Sequence, residues 1–267
     1  MRSSVRLAGL LAGALVFSLA SSARAEFSLQ IMNNDTGDGF KISENAHHTG
    51  FAVTTFGAVK PSDVTWSAGT GLIDAKVTID NYAFNVESKT NRTAPSSANV
   101  GNVSFNGYVT ANAGATKTSF SYYTADNFFT SPGNAASQIL LSSSVRSTGA
   151  WNNGDRVDTQ AEYTRSVVGS PSTFYQTTQT GSVTAPNQPF QTSTTDVSSR
   201  GGRYALSNIG NIVVNPSTAG GTTHFWTQAV TAMPEPTGVL IALLGVPCLG
   251  LVLLVARRRA IRFSAAA

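Results

Sequence analysis

The chain has 267 residues, a formal net charge of +4 and a single cysteine. One cysteine excludes an intrachain disulfide, so the folded part is held together by its core and its hydrogen bonds. The basic excess lies at the ends: residues 1–25 and 257–262 carry seven of the 18 basic residues, whereas residues 26–232 have 11 basic against 13 acidic residues. We therefore expect no nucleic-acid partner.

Residues 1–25 have the pattern of a secretory signal peptide. Two early arginines supply a positive start, residues 7–20 are apolar, and Ala23 and Ala25 form a small-x-small cleavage site. The fourteen apolar residues are too few for a membrane span, which needs about 20. We expect export across the inner membrane and removal of this segment.

Residues 238–256 are predicted to form a transmembrane helix. They carry no charge, and nineteen helical residues rise about 28 Å, close to the hydrocarbon thickness of a bilayer. Three arginines follow at 257–259, so the positive-inside rule puts residues 263–267 in the cytoplasm and the exported part outside. Cys248 within the span is interpreted as a small apolar side chain.

The exported part, residues 26–232, has the composition of a β domain. It contains 30 Thr and 25 Ser but only five Leu and four Glu, and Thr, Val, Phe and Tyr favour strands. Clusters of Asn, Asp, Gly, Pro and Ser divide it into segments of one strand or one hairpin. This spacing predicts an antiparallel β-sandwich or a jelly roll, with two small sandwiches as the open alternative.

Alternation of apolar and polar residues predicts particular strands. Every second residue of 73–79 is apolar, and the parity reverses in 82–86, so a bulge or tight turn is needed near Asp80 and Asn81. A reversed parity would otherwise turn one apolar set toward water. Residues 73–79 and 82–86 are therefore predicted to form two strands whose apolar faces pack on the same core.

Four further segments are read as strands. Residues 103–109 contain an Asn-Gly pair, which leaves a continuous strand and a hairpin both open. Residues 157–167 are predicted to form a strand with one solvent-exposed face. Residues 172–184 are predicted to form an edge strand or a strand on a solvated sheet. Residues 221–231 are predicted to form the last strand.

No metal site is predicted. His47 and His48 are adjacent and point to opposite faces of a strand, and His224 is distant, so a solvent-exposed loop histidine is a simpler explanation than a ligand. In the turn 33–39 the spacing of a calcium loop fails, although an irregular calcium loop is an open alternative to plain turn formation.

Catalysis and a cofactor are not predicted either. Asp155 and Asp158, near Trp151, are the best candidates for a glycosidase pair, but sequence proximity does not supply a cleft. Asp155 is explained as a turn residue, and Asp158 as a polar residue on the solvent-exposed face of a strand. A hydrolase acting on polysaccharide is the least favoured of the functions considered.

Three tryptophans are candidate glycan contacts. Trp66, Trp151 and Trp226 are able to stack on sugar rings, and core packing explains each of them equally well. The sequence therefore leaves a carbohydrate-binding module as an alternative to a non-catalytic structural or adhesive protein.

The C-terminal region resembles a known sorting signal. The parts that carry the resemblance are Pro234, Glu235 and Pro236, the apolar segment, and Arg257, Arg258 and Arg259. Together these parts, within residues 233–262, resemble the PEP-CTERM sorting signal, which is also catalogued as the C-terminal domain of ice-binding proteins. The motif covers about a tenth of the chain.

The resemblance implies processing by an exosortase, a membrane-embedded transpeptidase of Gram-negative bacteria that commonly also produce exopolysaccharide. It implies a single-pass precursor in the inner membrane whose exported domain is released to the cell surface or the extracellular matrix. A permanent single-pass membrane protein with a stiff Pro-Glu-Pro linker is the alternative. The signal occurs on unrelated proteins, so it implies nothing about the exported domain.

Overall fold

The computed structural model describes residues 27–45, 49–91, 100–131, 138–147, 152–166, 173–177, 181–185, 191–198, 202–216 and 221–232. Within these ranges the secondary structure is almost entirely β. The strands are β1 (Ser28–Asn33), β2 (Gly39–Glu44), β3 (Phe51–Phe56), β4 (Val64–Gly69), β5 (Leu72–Ile79), β6 (Tyr82–Thr90), β7 (Val100–Ala111), β8 (Thr118–Ser131), β9 (Gln138–Ser147), β10 (Arg156–Ser166), β11 (Thr173–Thr177), β12 (Gly181–Val183), β13 (Gln191–Ser198), β14 (Gly202–Val214) and β15 (Thr222–Ala232). One turn of 3-10 helix, Pro61–Asp63, precedes β4.

The strands form two antiparallel sheets. Sheet 1 has the order β11-β10-β14-β8-β1-β2-β3, with β12 pairing to β10 beside β11, and sheet 2 has the order β13-β9-β15-β7-β6-β5-β4. The first seven strands form consecutive hairpins within one sheet at a time, whereas from β8 onward the chain crosses repeatedly between the sheets. The predicted all-β, antiparallel sandwich-like architecture is confirmed.

Aromatic side chains from both sheets meet in the core. Phe84 of sheet 2 packs edge-on against Phe120 of sheet 1 with ring centroids 4.7 Å apart, and Phe105 of sheet 2 stacks on Tyr122 of sheet 1 at 4.6 Å. Such pairs contribute about 0.5–1.5 kcal/mol each beyond the area they bury. The larger apolar cluster also includes Phe27, Leu29, Ile31, Phe40, Ile42, Ile73, Ile79 and Phe225.

The predicted reversal of parity is a two-residue hairpin between β5 and β6. Ile79 pairs directly with Tyr82 across Asp80 and Asn81, and Asp80 adopts a positive φ of 52°. Aspartate tolerates this left-handed conformation better than most residues. The turn keeps the apolar residues of both strands on the inner face, as the alternation requires.

A bulge in β8 solves a similar problem in sheet 1. Leu206 pairs with Asp126 and Tyr204 pairs with Phe129, so three steps along β8 face two along β14. The extra residue lets both Asp126 and Phe129 be buried. The sequence analysis did not predict this bulge.

The strand β7 settles the question left open by its Asn-Gly pair. It runs without a break through Gly107, so the segment is a continuous strand and not a hairpin. A Cβ atom at this position would lie 2.3 Å from the backbone oxygen of Asn85 and 2.8 Å from the Cα of Val86. Glycine is required here because β6 and β7 approach closely.

The remaining strand predictions also have clear outcomes. Residues 156–166 form β10 with Val157, Ala161 and Tyr163 buried, and the last strand is β15, both as predicted. The polar segment that follows β10 forms β11 and β12 at the edge of sheet 1, as expected of an edge strand. Within the described ranges no helix is long and apolar enough to cross a bilayer.

Candidate functional site

The outer face of sheet 2 presents two rows of side chains that run across the strands. Strand register aligns them, with neighbouring strands about 4.8 Å apart and the two rows about 7 Å apart along each strand. The first row contains Arg146, Trp226, Asn106, Glu87, Asp74 and Ser67. The second contains His224, Tyr108, Asn85, Lys76 and Thr65. We call these rows the platform.

The aromatic part of the platform lies on β15 and β7. The ring centroids of Tyr108 and His224 are 5.2 Å apart at an interplanar angle of 33°, and the Arg146 guanidinium carbon lies 5.4 Å from the Trp226 ring centroid. Because Trp226 pairs with Asn106 and not with Tyr108, the two rings are diagonal neighbours. At that offset, about 7–8 Å on average, adjacent units of one ligand are able to reach both.

Polar groups flank these rings and are held by their own contacts. Asn85 donates from Nδ2 to the Tyr108 hydroxyl at 2.8 Å, and Asn106 donates from Nδ2 to Glu87 at 3.2 Å. Glu87 also pairs with Lys89 at 2.6 Å. Such bonds fix side chains that would otherwise lose rotamer freedom when a ligand binds.

Two shallow depressions lie next to each other on the platform and share Tyr108. One is lined by Asn106, Gly107, Tyr108, Arg146, His224, Phe225 and Trp226. The other is lined by Asp63, Lys76, Val77, Thr78, Ala83, Phe84, Asn85 and Tyr108. Among the described large apolar and aromatic side chains, Tyr108 is the exposed one, at 37%.

The platform combines aromatic rings with amide and hydroxyl groups. Aromatic rings pack against apolar ring faces, and amide and hydroxyl groups exchange hydrogen bonds with a hydroxyl-rich ligand. An open, ordered surface binds an extended polymer without enclosing it. No pair of carboxylates facing a cleft is found among the described residues of either depression.

The structure separates the candidate tryptophans. Trp226 is half-buried and lies on the platform. Trp66 lies on the inner face of β4 between Val64 and Ala68 and packs against the core, so it is not part of the platform. Trp151 lies outside the described residues.

The two aspartates of the hydrolase alternative have structural roles. Asp155 is buried and accepts hydrogen bonds from the backbone nitrogens of Asn152 and Asn215, both at 2.8 Å, and from the Thr223 hydroxyl. Asp158 accepts from Arg156 at 2.7 Å. Both carboxylates belong to sheet 1 or its turns, away from the platform rows.

The turn at residues 33–39 is held by hydrogen bonds within it and to neighbouring segments. Asp35 donates its backbone N–H to Asn33 Oδ1 at 2.9 Å, and its carboxylate accepts from Thr118 at 2.6 Å. Asp38 accepts from the backbone nitrogen of Ala58 at 2.7 Å. The described part of the chain has no group of three or more His, Cys, Asp or Glu residues placed to hold a metal ion.

The other sequence candidates have mixed outcomes. His224 lies on strand β15, within the segment 221–231 that was predicted as the last strand, and is half-buried against Tyr108. His47 and His48 lie outside the described residues. The cleavage residues, the predicted membrane helix and the sorting motif also lie outside them: Ala23, Ala25, Pro234, Glu235, Pro236, Arg257, Arg258 and Arg259.

Tyr108 and Arg146 were missed by sequence reasoning. If residues 103–109 are read as one strand, alternation puts Phe105 and Val109 on the inner face and Tyr108 on the outer face. No comparable signal was available for Arg146. Its position beside Trp226 depends on the pairing of β9 with β15.

Comparisons with known proteins find no matching family model and no matching curated protein. Among solved structures, a carbohydrate-binding module of the β-sandwich superfamily is similar with a TM-score of 0.29 and 7% identity, covering 80% of this chain and 86% of that one. The enzymatically active domain of tailspike protein 4 of bacteriophage CBA120 gives a TM-score of 0.25 at 9% identity over 59% of this chain. The chain covers 20% of that domain's length, and TM-scores this low do not establish a common fold.

Proposed function

We propose that the exported domain is a non-catalytic adhesive module that binds polysaccharide through the platform on sheet 2. The observation that carries the proposal is the pairing of Trp226 with Arg146 beside Tyr108 with His224, flanked by amides. Glycan stacking needs an ordered aromatic surface with polar neighbours, and this face of the sheet supplies both. A hydrated exopolysaccharide is the ligand that the predicted location would offer.

Binding of the full-length chain to a panel of soluble polysaccharides tests this function. Trp226→Ala and Tyr108→Ala are each expected to weaken binding at least about tenfold, because loss of an aromatic anchor costs about 2 kcal/mol or more. Thr194→Ala, at an exposed position on edge strand β13, is the matched control and is expected to bind as the wild type does. Failure of the wild-type chain to bind any glycan, or binding unchanged in both aromatic variants, would overturn the proposal.

The sorting route is a separate proposal. We propose that residues 233–262 hold the precursor in the inner membrane and present the Pro-Glu-Pro motif to an exosortase. Two prolines keep the backbone extended, nineteen uncharged residues match the bilayer core, and three arginines oppose translocation of the end of the chain. The expected final location is the cell surface or the extracellular matrix.

Mass spectrometry of the mature C-terminus tests the route. The expected mature chain ends near the Pro-Glu-Pro motif and lacks Arg257, Arg258 and Arg259. Replacement of the three arginines by glutamine is expected to reduce processing, whereas replacement of Arg156 is the control. A surface pool that still carries Arg257 would contradict exosortase processing and favour a permanent membrane anchor.

A further inference from the structure

The cationic part of the platform lies at one end of the first row. Arg146 is half-buried on β9, and strand pairing aligns it with Trp226, over whose ring its guanidinium lies. A guanidinium stays charged at every physiological pH and offers two parallel N–H donors to a carboxylate. The indole restricts how this group is oriented, so less conformational entropy is lost when an anion binds.

The depression around Arg146 contains no carboxylate among its described lining residues. The acidic residue of the same row that lies nearest along the register is Glu87, three strands away, or about 14 Å at 4.8 Å per strand. Its carboxylate pairs with Lys89 at 2.6 Å and accepts from Asn106 at 3.2 Å. Among the described lining residues of this depression, the charged group is therefore the guanidinium of Arg146.

The second row extends this pattern across the sheet. It runs from His224 through Tyr108 and Asn85 to Lys76 without an acidic member. In the adjacent depression the carboxylate is that of Asp63, which accepts from the Lys60 backbone nitrogen at 2.9 Å and from the Ser62 hydroxyl at 3.2 Å. From Arg146 on β9 to Lys76 on β5 there are four strand spacings, about 19 Å, which is room for several sugar units.

We infer that the platform takes an acidic polysaccharide, laid across the strands, with a uronate carboxylate on the guanidinium of Arg146. This inference rests on the proposed glycan-binding function and adds the class of ligand. Aromatic stacking on Trp226 and Tyr108 holds the sugar rings, and the cations at the two ends favour anionic units over neutral ones. Neutral chains keep the stacking but lose the charge-assisted hydrogen bonds.

A matched pair of polymers tests the inference on the full-length chain. The probes are soluble polygalacturonate and the same polymer after reduction of its carboxyl groups. The wild type is expected to bind the uronate at least about tenfold more tightly than the reduced polymer, and this preference is expected to shrink as salt is added. Arg146→Gln is expected to lose most of this preference, through weaker binding to the uronate.

Two controls separate the charge from the fold. Arg146→Lys keeps the charge but loses the planar fork, so only part of the preference is expected to survive. Arg156→Gln removes an arginine from the other sheet and is expected to leave both affinities unchanged.

Equal wild-type affinity for both polymers, with both lost in Trp226→Ala, would overturn the acidic ligand while leaving a glycan-binding module intact. A preference for uronate that is as large in Arg146→Gln as in the wild type would also overturn it. Absence of binding to either polymer and to the wider panel would instead remove the proposed function itself.

Discussion

Asn208 on β14 and Thr227 on β15 join the two sheets through a hydrogen bond of 3.0 Å from the amide Nδ2 to the hydroxyl. Both side chains are fully buried. Asn208 Oδ1 accepts from Thr159 at 2.7 Å, and the Thr227 hydroxyl donates to the backbone oxygen of Phe105 at 3.2 Å. A polar cluster thus crosses the middle of the sandwich with its groups satisfied.

Removing the side-chain amide of Asn208 is expected to lower the free energy of unfolding by more than the loss of one hydrogen bond would. In Asn208→Ala, the hydroxyls of Thr159 and Thr227 lose a partner while still excluded from water, so the free energy of unfolding is expected to fall by about 2–4 kcal/mol. Urea denaturation measures this fall. Asn211→Ala, at a half-buried position on the same strand, is the control, with an expected loss below about 1 kcal/mol. Similar losses in both variants would show that the cluster adds little.

Buried tyrosines predict sensitivity to alkali. Burial raises the pKa of Tyr204 to about 12 from its usual 10.0, a rise that the hydrogen bond with Thr231 only partly offsets, and burial also raises the pKa of Tyr122. The folded state keeps phenol protons that the unfolded chain releases, so this contribution to stability is complete below pH 10 and is lost as the pH rises through about 12.

Urea titrations at a series of pH values check this contribution. Tyr204→Phe is expected to reduce the alkaline loss by on the order of 2 kcal/mol. Thr231→Ala removes the 2.6 Å partner of the phenol but keeps the ionisable group, so it is expected to lower stability at neutral pH and retain the alkaline loss. An unchanged pH profile in Tyr204→Phe would contradict the assignment.

The two described tryptophans are expected to respond in opposite ways to the same substitution. Trp66→Ala removes a side chain that packs on the core, so we expect a loss of about 2 kcal/mol in stability and unchanged glycan binding. Trp226→Ala is expected to lose binding, with a change in stability of about 1 kcal/mol or less, the value of an exposed cation–π contact. Thermal unfolding and glycan binding, measured on both variants, give the comparison. Loss of binding in Trp66→Ala without loss of stability would contradict its placement in the core.

Because β6 and β7 approach closely at Gly107, adding one methyl group there is expected to lower stability. Gly107→Ala would bring a Cβ against the backbone of Asn85, whose side chain bonds Tyr108, so we expect a loss of about 1–3 kcal/mol together with weaker glycan binding. Gly69→Ala is the matched control, because nothing lies within 4 Å of a Cβ at that strand position. Equal stability of the two variants would show that the strands separate without cost.

The fold class followed from local rules, whereas the site required long-range pairing. Alternation in residues 73–86 was enough to predict two strands and the tight turn between them, because a wrong parity would expose an entire apolar face. The position of Arg146 beside Trp226 depends on which strands pair across the sheet, and no local pattern encodes that. Gly107 further concealed the outward direction of Tyr108, since glycine is read equally well as a turn.

Polar residues on the inner face were the other obstacle. Thr223, Thr227 and Thr231 of β15 are all buried. Thr223 bonds Asp155 in the turn before β10, and the other two bond Asn208 and Tyr204 of β14. A threonine is read from sequence as belonging to a wet face. Only the hydrogen-bond partner on the opposite sheet shows that a buried threonine hydroxyl is satisfied inside the sandwich.

The interior position of β15 has a mechanical consequence. This strand pairs with β7 from Thr222 to Ala232 and with β9 from Phe225 to Ala232. A pulling force on the chain beyond Ala232 therefore acts on a strand that is hydrogen-bonded to a neighbour on each side, and the two ladders share the load. Under a force along the strand axis, β15 has to break the hydrogen bonds of two ladders before it yields, whereas a strand at a sheet edge has to break those of one.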